Sequence, residues 1–202
     1  MTLLVATTNA NKVREIRPLL RHLPITLMTL ADLPPIAEPA ESASTFWENA
    51  RLKAFAYAAA SGLTVVAEDS GLEIAALRGE PGVHSARFLG ATVSYADRFA
   101  EIYRRLATDT SGRRDARFVT ALAVVRGTEV LFESATVIDG VISRDPAGAH
   151  GFGYDPIFYY PPLKKTTAQL TLEEKCAVSH RGRAFRDLAC WLSTDRSLIP
   201  DP

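Results

Sequence analysis

The sequence predicts an α/β fold, because segments typical of strands alternate along the chain with segments typical of helices. Short apolar runs at residues 3–7 and 64–67 indicate buried strands. Helix capping signals and stretches of helical periodicity lie next to these runs. With 202 residues, of which 47% are hydrophobic, the chain can form one large domain or two smaller lobes around a cleft.

The first predicted strand, at residues 3–7, leads directly into a helix. Asn9 and Asn11 are good candidates for the N-cap of that helix. Its apolar face is formed by Val13, Ile16 and Leu20. Pro18 is expected to kink or end it. A strand, a polar loop and a helix in this order can present N–H groups and the positive end of the helix dipole to phosphate.

A second strand, a loop and a long helix are predicted next. Residues 25–29 indicate the strand, and residues 33–44, which include three prolines, indicate the loop. Thr45 and Glu48 have the spacing of a capping box, which predicts the start of the helix. Gly62 is expected to be its C-terminal stop.

Three polar residues follow the strand predicted at residues 64–67. Glu68, Asp69 and Ser70 are therefore expected at the C-terminal end of this strand, the end at which ligands gather in α/β proteins. Carboxylate oxygens are hard ligands that suit Mg²⁺, which usually keeps several waters and bridges a carboxylate to substrate phosphate. Asp69 is the first candidate for catalysis.

The second half of the chain is predicted to contain a hairpin and three helices. Residues 117–125 and 130–142 are β-rich and are joined through Gly127. The tail at 197–202 is expected to be frayed. The helices are predicted at residues 94–106, after a second capping-box match at 171–174, and at about 180–192.

The composition excludes several classes of partner. The 23 basic and 23 acidic side chains give zero formal net charge, so no global field draws the protein to nucleic-acid polymers or to an anionic membrane. No segment is long and apolar enough to span a membrane, and the start lacks the basic region of a signal peptide. Cys176 and Cys190 lack metal-ligand spacing, and we expect both to be buried and reduced, which fits a cytoplasmic location.

Two motifs near the C-terminus together predict a nucleotide pocket. Residues 151–158 read GFGYDPIF, in which an exposed ring can stack on a base and glycines let the backbone approach a ligand. Asp155 adds a carboxylate that can accept hydrogen bonds from a base edge or a sugar. His180 and Arg181 are side by side and offer donors suited to phosphate or carbonyl oxygen.

Together with three further segments, these motifs resemble the inosine triphosphate pyrophosphatase family, whose members are also called HAM1-like proteins. The segments are residues 5–12 (VATTNANK), 67–73 (AEDSGLE) and 79–88 (GEPGVHSARF). The resemblance extends over almost the whole chain, from about residue 3 to residue 192. It implies a long central mixed sheet with two α/β lobes around a nucleotide cleft, and, by analogy, a homodimer.

The resemblance also implies an activity on a small-molecule nucleotide. This is hydrolysis of non-standard purine nucleoside triphosphates (ITP, dITP and XTP) between the α and β phosphates, which gives a monophosphate and pyrophosphate. The family residue that matches Asp69 holds the metal or activates water, so Asp69 is expected to be catalytic and to bind Mg²⁺. The second metal ligand is open between Glu38 and Glu41, of which we choose Glu41. The absence of a Walker-A sequence argues against a P-loop enzyme.

Substrate contacts are expected from residues spread over all five segments. Arg181 or His180 can donate to the C6 carbonyl of hypoxanthine or xanthine, and Asp155 or a backbone acceptor can take a ring proton. Adenine has an amino group at C6, so donor would face donor, which costs about 1–3 kcal/mol. The candidate phosphate ligands are Lys12, Lys53, Lys175 and Arg87. The other expected contacts are Thr7, Thr8, Asn9, Ala10, Asn11, Ser70, Phe152, Gly153 and Tyr154.

Two rival functions are weighed against this one. A Maf-like pyrophosphatase acting on other nucleotides shares the general architecture, but the motifs at 151–155 and 179–181 argue against it. A nucleotide-sensing protein without turnover is the rival from a different class, and the presence of Asp69, Lys12 and Lys53 argues against it. The chain departs from the usual family pattern at Thr8, Ser42, Ala43, Glu68 and His84.

Overall fold

The structure, a computed structural model, describes residues 1–194 and contains seven strands and five α-helices in that range. The strands are β1 (Thr2–Val5), β2 (Thr26–Thr29), β3 (Thr64–Ile74), β4 (Asp115–Arg126), β5 (Glu129–Ile142), β6 (Phe158–Tyr160) and β7 (Lys165–Thr166). The helices are α1 (Ala10–Leu20), α2 (Phe46–Ser61), α3 (Tyr95–Thr108), α4 (Leu172–Val178) and α5 (His180–Thr194). The tail at 197–202, expected to be frayed, lies outside the described residues.

All seven strands belong to one mixed sheet, in the order β2-β1-β3-β4-β5-β6-β7. β1 is parallel to both β2 and β3, whereas β6 is antiparallel to both β5 and β7. The α/β class with a mixed sheet is thereby confirmed. The predicted hairpin is also confirmed, since β4 and β5 are neighbours and Gly127 between them has a positive φ of 59°, a backbone conformation that glycine adopts without steric cost.

Helix ends follow the predicted capping signals in most places. The Asn9 side chain accepts hydrogen bonds from the N–H groups of Asn11 and Lys12, so Asn9 is the N-cap of α1. The alternative cap, Asn11, is wrong, because it lies inside the helix. Thr45 caps α2 through the N–H of Glu48, and Gly62 ends this helix in the left-handed conformation.

The predicted end of β3 is wrong, and the error changes the setting of the acidic residues. The strand was expected to stop at residue 67, but it continues through Glu68 and Asp69 to Ile74. Leu72 and Ile74 are both fully buried in an apolar core, and this burial favours extended backbone beyond the polar residues. Glu68 and Asp69 are therefore held within a rigid strand rather than in a loop after it.

The chain divides into two compact units, and β3, β4 and β5 each contribute residues to both. The described part of unit 1 comprises residues 1–69, 120–136 and 180–194, and unit 2 comprises residues 70–119 and 137–179. In unit 1, successive residues of β1 are buried in different cores, Leu3 with α1 and α5 and Leu4 with α2. This alternation is expected for a strand covered by helices on both faces.

Unit 2 has an apolar core of its own. Its members come from β3, α3 and the later strands, and the rings of Phe118 and Phe158 pack with their centroids 4.4 Å apart. Of the two cysteines, Cys176 is buried as expected, but Cys190 is exposed, so the expectation that both are buried is wrong for Cys190. None of the described helices is long and apolar enough to cross a membrane.

Candidate active site

The carboxylate of Asp69 lies in a group of polar side chains within unit 1. Lys53 reaches it from α2, with Nζ 3.4 Å from Asp69 Oδ1 and 2.7 Å from Glu41 Oε1. Asn49 lies one helical turn before Lys53 and donates to Asp69 Oδ2 at 3.1 Å. The spacing of four residues thus aims both α2 side chains at the same carboxylate.

Asn49 also fixes the loop that carries Glu41. Its Oδ1 accepts from the Ala43 N–H at 3.0 Å, and its Nδ2 lies 3.4 Å from the Ala43 carbonyl oxygen. Asn49 is fully buried, and the sequence analysis did not single it out. Its position four residues before Lys53 in a long predicted helix is the signal that could have identified it.

The charges around Asp69 shift its protonation and that of its partner. Burial raises the pKa of the Asp69 carboxyl above its ordinary value, and the neighbouring Glu41 carboxylate raises it further, although Lys53 and Lys12 oppose this. Burial alone would lower the pKa of Lys53, but the carboxylates of Asp69 and Glu41 outweigh it and raise the pKa. Lys53 therefore keeps its positive charge, and it lies beside the Asp69 carboxyl, whose affinity for a proton is increased.

The donor set around Lys53 fits a magnesium ion that keeps several of its waters. Glu41 and Asp69 converge on one positive group, the Lys53 ammonium, and offer hard oxygen ligands. Within residues 1–194, no group of three or more His, Cys, Asp or Glu side chains could form a metal cage. Glu38, the alternative ligand, is exposed. The geometry favours Glu41 over Glu38.

A second network in unit 1 surrounds Arg181. The guanidinium donates from Nε to Glu68 Oε1 at 2.6 Å and from Nη1 to Glu15 Oε2 at 2.6 Å. Arg181 is only 2% exposed. At least three of its donor groups are engaged by these two carboxylates, since Nη2 also contacts Glu68. Donation by Arg181 to a base stays a prediction.

Glu68 joins this network to the first turn of α1. Lys12 Nζ lies 3.6 Å from Glu68 Oε1. Burial would raise the pKa of Glu68, but Arg181 and Lys12 outweigh it and hold the pKa well below its usual range. The pKa of Lys12 is lowered by burial and by the positive charges of Arg181 and Lys53. Glu68 is thus a permanent anion that neutralises two of the site's cations.

The loop between β1 and α1 is held by hydrogen bonds to its own side chains. Thr7 Oγ1 accepts from the Asn9 N–H at 3.1 Å, and Asn9 in turn accepts from the first turn of α1. The N–H groups of Asn11 and Lys12 are therefore already bonded to Asn9. Thr8, Ala10 and Asn11 are exposed, and their contacts with substrate stay predictions.

In unit 2, the motif at residues 151–155 folds around the buried carboxylate of Asp155. Its Oδ2 accepts from the Phe152 N–H at 2.7 Å and from Lys175 Nζ. Thr167, which the sequence analysis did not single out, donates to Oδ1 at 2.8 Å. A side-chain carbon on Gly151 would lie 2.1 Å from Asp155 Oδ2. Only glycine fits there. The hydrogen bonds of the buried Asp155 carboxylate therefore hold the loop in this conformation.

Lys175 belongs with the aromatic motif and not with the other two lysines. Its ammonium is buried and lies 4.8 Å from the centroid of the Phe152 ring, within the range of a cation–π interaction. Lys12 and Lys53 are both in unit 1, whereas Lys175 is in unit 2. The structure therefore gives Lys175 a position that supports Phe152 and Asp155, and its expected role as a phosphate ligand stays untested.

The remaining predicted residues are more dispersed. Ser70 is half-buried and follows Asp69 on β3, and Arg87 is half-buried at the end of the 3-10 helix Gly82–Arg87. His180 is buried at the start of α5, and its positive form would lower the pKa of Glu68. Gly153 and Tyr154 lie in the motif described above. Substrate contacts by all five residues stay predictions.

The chain matches a known protein family and several named relatives. The model of the Ham1 family matches residues 3–191. The chain is 43% identical to a protein named dITP/XTP pyrophosphatase from Exiguobacterium sibiricum, over 96% of this chain and 98% of that protein. It is 45% identical to a protein with the same name from Thermus thermophilus, over 93% of this chain and 90% of that protein.

Solved structures agree with the sequence matches. The fold is similar to that of a HAM1 protein from Coxiella burnetii, with a TM-score of 0.85 and 37% identity over 96% of this chain and 98% of that chain. It is also similar to the Ham1 protein of Staphylococcus aureus, with a TM-score of 0.84 and 36% identity over the same shares of the two chains. The resemblance stated from the motifs is confirmed, and the chain belongs to the Ham1 family.

Proposed function

We propose that this protein is a nucleoside triphosphate pyrophosphatase that converts ITP, dITP and XTP to the nucleoside monophosphate and pyrophosphate. The observation that carries the proposal is the group of Asp69, Glu41 and Lys53, in which two carboxylates meet one buried lysine. Family membership and relatives named dITP/XTP pyrophosphatase support the choice of substrate. The enzyme would remove these nucleotides from the cellular pool.

We assign the chemistry of hydrolysis to the unit 1 residues. Asp69 and Glu41 would hold Mg²⁺, which when bound neutralises phosphate charge and lowers the pKa of coordinated water. Lys53 and Lys12 bind phosphate oxygens as compact cations. Asp69 accepts a proton from the attacking water, whose oxygen bonds to the α phosphorus while the bond to the bridging oxygen breaks and pyrophosphate leaves.

We assign base binding to the unit 2 residues. The Phe152 ring, which is backed by Lys175, would stack on the purine, an interaction that does not distinguish one base edge from another. Choice among bases must come from hydrogen bonds to the edge. Because the Asp155 carboxylate is occupied by donors of the loop and by Thr167, backbone groups near Gly153 are better placed than Asp155 to accept a ring proton.

One assay separates this proposal from its rivals. Purified protein with Mg²⁺ is offered ITP, dITP, XTP, GTP, ATP and UTP, and released pyrophosphate is scored against phosphate. The proposal expects pyrophosphate from the first three nucleotides at a rate far above that from ATP. Preferred turnover of UTP would favour the Maf-like rival, and tight binding without turnover would favour a sensor. Chelation with EDTA should stop turnover, and added Mg²⁺ should restore it.

The proposal also covers the oligomeric state and the cellular location of the enzyme. By analogy with the family we expect a homodimer in the cytoplasm. Sedimentation analysis of the purified protein checks the first expectation, because a dimer has twice the mass of the 22.0 kDa chain. A monomer at all concentrations would contradict it without affecting the assay above.

A further inference from the structure

Arg98 is a buried cation of unit 2 that pairs with no carboxylate of residues 1–194. It lies in the first turn of α3 and is 2% exposed. Its Nη2 donates to the Gly90 carbonyl oxygen at 2.9 Å, and its Nε has no hydrogen-bond partner. A buried charge without an opposite charge is costly. Within the part of the chain that the structure describes, only neutral groups, the Gly90 carbonyl and the Tyr95 ring, offset this cost.

The neutral partners of Arg98 connect it to the motif at residues 151–155. Its guanidinium carbon lies 4.8 Å from the centroid of the Tyr95 ring. Tyr95 meets the ring of Tyr154 edge-on with centroids 5.3 Å apart, and its hydroxyl lies 3.6 Å from the point where a side chain on Gly153 would begin. The positive charge of Arg98 is also near enough to the Tyr154 hydroxyl to oppose the rise in its pKa that burial causes. The start of α3 is thus packed directly against the back of the loop.

Tyr154 also contacts the neighbouring backbone. Its hydroxyl donates to the Ser85 carbonyl oxygen at 2.9 Å. Ser85 in turn accepts from the Leu72 N–H on β3 at 2.9 Å and donates to the Gly82 carbonyl oxygen at 2.6 Å. Arg98, Tyr95, Tyr154 and Ser85 thus form a continuous series of contacts that runs from α3 to β3.

We propose that Arg98 is a positioning residue for nucleotide binding, which fixes Tyr154 and thereby sets where the Phe152 ring and the backbone at Gly153 meet the base. Arg98 acts through Tyr154 and does not itself touch the substrate. The inference rests on the proposed function, since it assumes that residues 151–155 bind the base.

The test compares Arg98→Met with a matched control on the same helix, Arg105→Met. Arg105 also lies over an aromatic ring, that of Phe88, at 5.2 Å, but its hydrogen bonds go to Glu101 and Glu80. Arg98→Met should raise KM for ITP and the Kd for IMP about tenfold at nearly unchanged kcat. Arg105→Met should leave KM and Kd at parent values. A parent-like KM and Kd in Arg98→Met would overturn the proposal.

Hydrogen exchange gives a readout that does not depend on turnover. The Phe152 N–H, which is bonded to Asp155, should exchange faster in Arg98→Met than in the parent and in Arg105→Met. Unchanged exchange at Phe152 would overturn the proposal. If the parent releases no pyrophosphate and binds no IMP, the proposed function fails and with it the role of Arg98 in nucleotide binding, whereas the exchange still shows whether Arg98 holds the loop at residues 151–155.

Tyr154→Phe is the second variant, which tests the proposal if Arg98→Met does not fold. It removes only the hydroxyl and should raise KM by a smaller factor in the same direction, with faster exchange at Phe152. In the double variant the two changes should not multiply, because both act on the same series of contacts. Effects of Tyr154→Phe on stability alone, without a change in KM or exchange, would contradict the role of Arg98.

Discussion

The two units use buried charge in opposite ways. Around Asp69 in unit 1, the partners include the Asn49 amide and the Lys53 ammonium, which lies 3.4 Å from the carboxylate and also pairs with Glu41. Around Asp155 in unit 2, one carboxylate takes donors from Phe152, Lys175 and Thr167, and its charge serves to hold a loop. The same residue type thus shares a cation with a second carboxylate in one unit and holds a loop in the other.

The Asp69 carboxyl of unit 1 has an increased affinity for protons. The pKa of Asp69 is raised by burial, because its cationic partners only partly compensate for lost hydration. A carboxylate with raised proton affinity next to cations is typical of sites that transfer protons. Asp155, in contrast, has its two oxygens bonded to donors of the surrounding loop and helix. A buried carboxylate with such partners stabilises a defined backbone conformation.

The largest effect is expected from Asp69→Asn. The amide neither accepts a proton from water nor binds Mg²⁺ well, so pyrophosphate release from ITP should fall by about a hundredfold or more. The fold should persist, because the amide has nearly the same volume. Glu73→Gln is the matched control, since Glu73 is on the same strand but pairs with Arg117. Asp69→Asn with turnover near that of Glu73→Gln would refute the assignment.

Arg181→Met should have the largest effect on stability. It leaves Glu68 and Glu15 buried without their shared cation, and breaking a buried ion pair from one side costs about 3–5 kcal/mol. The free energy of unfolding in urea measures this loss. The double variant Arg181→Met with Glu68→Gln should recover part of it, because one uncompensated carboxylate is removed.

The same variant tests whether Arg181 also reads the base. The ratio of kcat/KM for ITP to that for ATP is measured at a temperature where Arg181→Met remains folded. A large fall in this ratio supports donation to the C6 carbonyl, which adenine lacks. An unchanged ratio, together with reduced stability, would show that Arg181 only holds Glu68 and Glu15 in place.

Sequence patterns were sufficient where the determinant is local. Asn9, Thr45 and Gly62 mark helix ends because capping depends on residues a few positions apart. The mixed sheet followed from the alternation of elements and from the family resemblance. β3 was predicted too short, because Glu68 and Asp69 suggested a strand end, whereas burial of Leu72 and Ile74 in the core of unit 2 continues the strand.

Partnerships between distant segments could not be predicted in the same way. Lys175 was grouped with the other lysines by charge, but its distance to Phe152 depends on how the segment at 171–178 packs on the loop. Glu15 was not singled out, because a single acid on a helix is usually solvated. Its burial follows from contact with Arg181, which is 166 residues away in sequence.

Lys12→Ala and Lys53→Ala test the phosphate side of the comparison. Each should weaken binding of ITP by about tenfold or more and binding of IMP much less, because IMP lacks the β and γ phosphates that we expect these cations to contact. Calorimetry with a non-hydrolysable ITP analogue and with IMP measures both affinities. Lys164→Ala is the control, since Lys164 is exposed. Equal losses of affinity for both ligands would show that these lysines do not contact the β and γ phosphates.

The smallest effect is expected from Phe152→Ala, which tests the base side. Stacking on an aromatic side chain is worth about 1–3 kcal/mol per base, so KM should rise by roughly tenfold for ITP, XTP and ATP alike. Stacking does not read the base edge, and the ITP to ATP ratio of kcat/KM should stay near the parent value. Phe152→Tyr keeps the ring over Lys175 and should behave like the parent. If Phe152→Ala instead abolishes the preference for ITP, the loop selects the base by fixing the backbone near Gly153, and stacking is not its main contribution.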